Sequence, residues 1–481
     1  MEEAQRRGES CMSLFNLASI NIWGGFIFGY NTGIIALANK PIQTHFDLST
    51  TLTGVVAASI LMGAMVGSVA GGLLCDLLGR KKVMLLACAF TIAGASTSAF
   101  APNLWSLCVL RVLLGVGVGL CSTVCPLYVN EMSPSEKRGR LGTLFQLSIT
   151  LSIFVADGVG YAFLQLPSYD WRAMLGFGVL PGLILLGYAL FAMPESRIWL
   201  SKHQNNYRPL EDATYDGDLE ITINGETDRG GWRSLFAPRN WKNVIWGIMM
   251  AVALQLSGIN AVIYYAPNIF ESAGLTSDTA SLLATLSVGG WNFVTTFLAV
   301  GLIDRFGRRP LFIIGGIIMG VADITLGFVT QYAPKPYDGY VSIACVLIFI
   351  LGFEGGIGTL FWVLITEYYP SSVKSQASGF VNVLQWGLNL LLTLTFLDAI
   401  DSIGLATTFW IFGGMALLLF IGVCVGIGSF FYSRCHLRFG RFRSQYPCRD
   451  LLLVLLAGDQ IATGLKSGLG SSPPPLEFIL N

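Results

Sequence analysis

Twelve stretches of this chain are each long and apolar enough to cross a lipid bilayer, which removes most of the folds otherwise open to 481 residues. Crossing about 30 Å of hydrocarbon takes about 20 predominantly apolar residues in a helix. The candidates lie near 12 to 37, 52 to 75, 83 to 101, 105 to 129, 142 to 164 and 173 to 193, then 243 to 267, 280 to 303, 311 to 331, 340 to 366, 375 to 399 and 405 to 431. In hydrocarbon each backbone amide must be bonded within its own segment, so these stretches are helices. The expected fold class is therefore an all-α membrane protein with twelve transmembrane helices, and the lipid bilayer is its first partner. The first segment is too long for the apolar core of a cleaved signal peptide and reads as a retained span.

One long polar stretch, 194–242, separates residues 12–193 from 243–431, so two six-helix bundles are expected around a linker, with a short segment 1–11 ahead of them and a tail 432–481 behind. Alternate loops differ sharply in charge. Seventeen Lys and Arg fall in the loops at 80 to 82, 137 to 140, 197 to 242, 305 to 309 and 374, against three (Lys40, Arg172 and Lys335) in the others. The basic side is the cytoplasmic one, which puts the linker and both termini in the cytoplasm. Net charge is zero, so no basic field points to nucleic acid. The ten cysteines lie mostly inside apolar stretches without CxxC pairs, and His45, His203 and His436 are scattered. No disulfide framework, metal site or cofactor is expected.

The two halves repeat one another. Asp76, Gly79 and Arg80 after the second span recur as Asp304, Gly307 and Arg308 after the eighth; Glu131, Pro134, Ser135 and Arg138 after the fourth recur as Glu367, Pro370, Ser371 and Lys374 after the tenth. Two motifs at nearly one offset, in halves of the same orientation, indicate a repeat about an axis along the membrane normal, with a binding site near the midplane between the halves. A tight loop needs glycine where the backbone turns sharply. Bases in short inner loops commonly serve topology alone, but their duplication with matched acids points to ion pairing. Asp76, Arg80, Glu131 and Arg138 in one half, with Asp304, Arg308, Glu367 and Lys374 in the other, are expected to form an ion-pair latch on the cytoplasmic side that favours an outward-open state.

These loops, with Phe28 to Gly33 in the first span, Arg138 to Arg140, Pro194 to Ser196 and Gln255 to Asn260 in the seventh span, resemble the sugar porter branch of the major facilitator superfamily, over roughly residues 12 to 431. The resemblance implies transport of hexose-type sugars by alternating access and no enzymatic activity. It also implies sugar contacts at Gln146, Gln255, Asn260, Asn292, Glu354, Trp362 and Asn389. A sugar hydroxyl leaving water must find a partner, and amides both donate and accept; Trp362 would offer an apolar ring face. Each amide would equally serve to bond one helix to another, although seven polar residues over five spans favour a common cavity. Glu354 and Arg111 are open to a second reading as structural ion partners.

The sequence departs from the family in four places. Leu254 replaces one of two usual adjacent glutamines, Gly355, Gly356 and Gly358 stand where prolines usually break the tenth span, Lys374 replaces an arginine, and the tail beyond 432 lacks the family's usual ending. Proton coupling in sugar porters would need a carboxylate in the first span, where this chain has Asn31 and no acid between 12 and 37. Facilitative uniport of glucose or a similar monosaccharide is the simplest reading, in the plasma membrane. Its alternative is symport of a sugar or a polyol such as myo-inositol, with protons as a further partner carried on Asp157 or Asp323; both are expected near a span end or in a wet vestibule. A non-transporting sugar sensor would signal through a long tail, and this tail is short and of low complexity.

Overall fold

The chain is described here from a computed structural model covering residues 14–134, 137–164, 170–203, 232–264, 278–306, 308–333, 337–370 and 372–419. All regular structure among them is helical. Ten helical spans are long and apolar enough to cross a membrane: Leu14–Phe46, Thr51–Leu78, Leu104–Met132, Arg138–Phe163, Trp171–Phe191, Pro238–Tyr264, Leu283–Ile303, Pro310–Tyr332, Gly339–Glu367 and Lys374–Phe396. Two helices complete the set of twelve. Arg80–Ser98 begins with three consecutive bases, and Leu405–Leu419 is the described part of the twelfth. The described residues belong to one compact unit, and the tail expected from 432 lies outside them.

Local sequence explains where the helices start, stop and break. Asn103 and Ser106 form a reciprocal capping box ahead of Leu104–Met132, with Ser106 N donating to Asn103 Oδ1 at 2.9 Å. Between the second and third spans Gly79 sits at φ +92°, a conformation that side chains rarely adopt. The first span runs further than expected, because Ile35–Phe46 continues it through Pro41. The seventh breaks after Gln255, where Gly258 takes φ +82°. The linker begins as a helix, Arg197–His203, and closes with Trp232–Leu235; its middle lies outside the described residues.

Small residues set how closely the helices approach. Gly63 and Gly67 in the second span face the carbonyls of Val112 and Val116, while Gly115 and Gly119 in the fourth face those of Ile60 and Ala64. A Cβ at any of the four would collide with the opposing backbone. Such pairs spaced four apart are a membrane packing device, since apolar side chains gain nothing from leaving lipid and close backbone contact must supply the attraction. The two halves meet through the second span against the eleventh, where Gly72 lies against Gly379, and through the fifth against the eighth, where Phe154 and Asp157 face Gly289 and Gly290.

Candidate substrate site and gate

Two polar clusters join the halves, one at mid-span and one on the basic loop face. The mid-span cluster is organised by an irregularity in the tenth span. Tyr337–Phe353 gives way to a π-helical segment, Glu354–Gly358, before Thr359–Glu367 resumes the α-helix. Gly356 departs from helical geometry at φ −120°, ψ −110°, so the break sits where the sequence has glycines in place of prolines. Single π turns expand the helix and commonly mark functional positions. Here the expansion presents the buried Glu354 carboxylate toward the other half.

Gln146 of the fifth span reaches it. Gln146 Nε2 donates to Glu354 Oε1 at 2.9 Å and to Oε2 at 3.2 Å, and its Oε1 accepts from Trp362 Nε1 at 2.8 Å. One amide thus bonds two residues of the opposite half, and three of the seven expected sugar contacts come together. Trp362 presents its ring to Phe28 and Phe145 of the first half, with centroids 5.7 and 4.7 Å away. In this conformation the ring expected to face a sugar packs against aromatic edges. Among the described residues Glu354 bonds the Gln146 amide and Arg111 the Val56 carbonyl, and neither lies within ion-pair distance of an opposite charge.

A second chain of amides runs between the seventh and eleventh spans. Gln255 Nε2 donates to Gln385 Oε1 at 2.7 Å, and Asn260 Nδ2 donates to Gln255 Oε1 at 2.5 Å. Asn389, one turn beyond Gln385, donates to the Tyr264 hydroxyl at 3.2 Å. Gln385 was missed by sequence reasoning, although its spacing of four from Asn389 puts both on one helix face. Asn292 is buried in the eighth span with no partner for Oδ1 among the described residues, as is Gln385 Nε2. Buried amide atoms of this kind need a partner from somewhere.

On the basic loop face the first-half motif is a closed network. Arg80 Nε and Nη2 donate to Glu131 Oε2 and Oε1 at 2.9 and 2.7 Å, a bidentate pair. The same guanidinium lies 3.3 Å from Asp76. Ser196 Oγ donates to Glu131 at 2.6 Å, and Glu195 accepts from the backbone of Arg80 at 2.7 Å, capping the third span. Neither linker residue had been given a role from sequence. In the second half Arg308 approaches Glu367 at 3.5 Å. The Asp304 side chain lies outside the described residues.

Arg80 thus pairs with Asp76 and Glu131 of its own half and Arg308 with Glu367 of the other, and further bonds on this face run between the halves from charged to neutral groups. Asp76 accepts from Ser375 Oγ at 2.8 Å and Gln376 Nε2 at 2.5 Å, Arg80 donates to Ser375 at 3.1 Å, and Lys374 donates to Asn130 Oδ1 at 3.0 Å. Arg138 donates to Ser133 O in its own half at 3.3 Å, and Glu367 lies in the field of Arg308, Arg138 and Lys374. Asp76, Arg80 and Lys374 thus bond serines and amides of the opposite half, while Glu367 also feels the charge of Arg138 across the gap.

The candidate proton carriers are placed as follows. Asn31 donates to Ile27 O of its own helix at 2.8 Å. Asp157 and Asp323 are both buried, at 4% and 1% exposure. Asp323 is mid-helix in Arg308–Tyr332, contrary to the expected span end or vestibule; Asp157 lies within two turns of the end of Arg138–Phe163 and is buried all the same.

The profile of the family described as "Sugar (and other) transporter" matches residues 17–434. Among similar proteins, the galactose-proton symporter of Escherichia coli K12 is 32% identical over 435 residues, 88% of this chain and 93% of that protein. The glucose transporter GlcP of Staphylococcus epidermidis is 34% identical over 410 residues, 83% of this chain and 89% of its own. The solved structure of the proton:xylose symporter XylE bound to 6-bromo-6-deoxy-D-glucose superposes with a TM-score of 0.73 at 26% identity, covering 85% of this chain and 95% of that one. Repeated halves, twelve helices, polar clusters where the halves meet and a family match over most of the length converge on one assignment. This chain belongs to the sugar (and other) transporter family, the sugar porters of the major facilitator superfamily.

Proposed function

We propose that this sugar porter carries a hexose-type monosaccharide, glucose or a close relative, down its gradient by alternating access. The observation that carries the proposal is Gln146, whose amide bonds both Glu354 and Trp362 of the opposite half. A sugar hydroxyl donates and accepts as that amide does, so it can exchange for these bonds when the halves part, with little net change in bonding. Gln255, Asn260, Gln385 and Asn389, with Asn292, extend the polar lining along the second half. The names of the similar proteins, a galactose symporter and a glucose transporter among them, support the substrate class.

The halves are residues 12–193 and 243–431, hinged by the linker, in the plasma membrane with both termini cytoplasmic. The basic loop face is then the cytoplasmic one, and its bonds between halves form a latch that holds this side shut. Uniport is favoured by Asn31, an amide bonded to its own helix where a titrating acid would be needed. Symport has in its favour the buried Asp323, whose two oxygens lack partners among the described residues.

The test is uptake by the purified full chain in proteoliposomes, with labelled glucose, galactose, fructose, xylose and myo-inositol offered in turn, each with and without an inside-alkaline pH gradient. Equilibration of a hexose without accumulation is expected. Accumulation above equilibrium driven by the gradient overturns uniport and leaves sugar transport standing; transport of no sugar or polyol overturns both.

A further inference from the structure

The fifth span carries two polar residues that meet the opposite half at different depths. Gln146 bonds Glu354 and Trp362 at mid-span. Asp157 stands eleven residues further along Arg138–Phe163, about 16 Å at 1.5 Å per residue, toward the face opposite the basic loops. There its carboxyl lies in the seam between the fifth and eighth spans. A Cβ at Gly289 would come within 2.3 Å of Asp157 Oδ2, and one at Gly290 within 3.2 Å of the Phe154 ring. Asp157 is 4% exposed, so the opposite half closes over an acid, and glycine is what lets it come so near.

Among the described residues no cation lies within ion-pair distance of Asp157. The eighth span carries no charged residue from Leu283 to Ile303. On the other side the first span packs Gly33 on Ile153 and Leu37 on Gly160, and its continuation bears Lys40, His45 and Asp47, all exposed. Arg172 of Asp170–Phe177 donates to Ala101 O at 3.3 Å and lies over the Trp171 ring, while the Asp170 side chain lies outside the described residues. Tyr161, one turn on, is exposed, and Glu354 is bonded to Gln146 three turns deeper.

A carboxylate pressed against an opposing backbone without a counter-charge is strongly disfavoured relative to one in water, whereas the neutral acid is not. When the seam parts, water reaches the group and it ionises as an ordinary carboxyl does. Closing the seam therefore takes up a proton and opening it releases one, and a ligand held by one state alone shifts the balance toward that state. The mid-span cluster lies between Asp157 and the basic loop face, so this proton enters and leaves on one side. We propose that Asp157 is a proton-operated catch of the fifth–eighth seam: the neutral acid lets the halves close on that face, and the carboxylate holds them apart. Sugar flux then depends on pH without being coupled to protons. The inference rests on the alternating-access reading and adds its regulation.

Spin labels at Thr44→Cys and Ser402→Cys, one on each half at that face, test it in the full chain with its native cysteines replaced, in lipid nanodiscs at acid and neutral pH. The wide-distance population should rise with pH, by up to about tenfold per pH unit. Asp157→Asn should hold the narrow distance at both pH values, and Gly289→Ala the wide one, because its Cβ collides with the acid. Glucose exchange in proteoliposomes with equal pH on both sides should slow as pH rises in the wild type and not in Asp157→Asn. Distances independent of pH in the wild type overturn the inference, whatever the folding of the variants. So does a pH response that survives unchanged in Asp157→Asn, which would place the titrating group elsewhere. Accumulation of glucose driven by a pH gradient and lost in Asp157→Asn overturns it in favour of coupling. The expected distances without exchange of any sugar overturn the sugar reading and leave the catch standing.

Discussion

The same loop motif is built twice in this protein and reaches two different physical states. In the first half Arg80 and Glu131 are 1% and 3% exposed and joined by two short bonds, with Asp76 and Ser196 filling the remaining valences. In the second half Arg308 and Glu367 are 34% and 28% exposed and stand 3.5 Å apart. A bidentate buried pair is demanding because either charge left alone is poorly solvated. A half-exposed pair at longer range is screened by water and contributes little. Repetition in sequence thus does not imply equal weight: the first-half motif is a buried network that also bonds Ser375 and Gln376 of the opposite half, whereas the second-half pair is longer and more exposed.

The largest contrast should come from removing the two arginines in parallel. Arg80→Ala leaves Glu131 buried without its partner and should destabilise by about 3–5 kcal/mol, whereas Arg308→Ala should change stability by about 1 kcal/mol or less. Apparent melting temperatures of the detergent-purified proteins measure both, and equal shifts would erase the distinction between the halves. Gly79→Ala comes next. It forces a side chain into φ +92° against Glu195, at about 1–3 kcal/mol, read from the same melting curves. Glu195→Ala removes the cap of the third span and should lower stability by about 1 kcal/mol; amide exchange at Arg80 and Lys81 should rise with it. Gln376→Ala, which loses one bond between halves, should cost a similar amount, about 1 kcal/mol. That variant, like Glu367→Ala, should instead make cysteines engineered on the basic loop face more reactive, since the closed state is disfavoured; unchanged reactivity in both would remove the latch.

Much of this was legible in the sequence because membrane folding leaves strong signals. Span length follows from bilayer thickness, and the duplicated acids and bases marked Arg80, Glu131, Arg308 and Glu367 as members of one charged set before any coordinates, without saying which would pair. The meeting of Gln146, Glu354 and Trp362 was reachable only as a resemblance. Their contact across the halves depends on a π-helical turn at Glu354–Gly358 that glycines permit and no motif specifies. The bonds between halves were illegible for a simpler reason. Ser375, Gln376 and Asn130 are ordinary polar residues, and nothing in their spacing distinguishes a partner across the gap from one on a neighbouring helix. The unequal burial of the two arginines was equally hidden, because it depends on what the linker residues Glu195 and Ser196 add to one half.

The most direct test of the central claim, that the cluster at mid-span is where sugar is held between the halves, is glucose uptake by Gln146→Ala in proteoliposomes, with melting temperature as the control. Loss of a bond to a buried carboxylate should reduce uptake by about ten- to a hundredfold in a protein that melts within a few degrees of the wild type. Undiminished uptake by a folded Gln146→Ala protein would contradict the account.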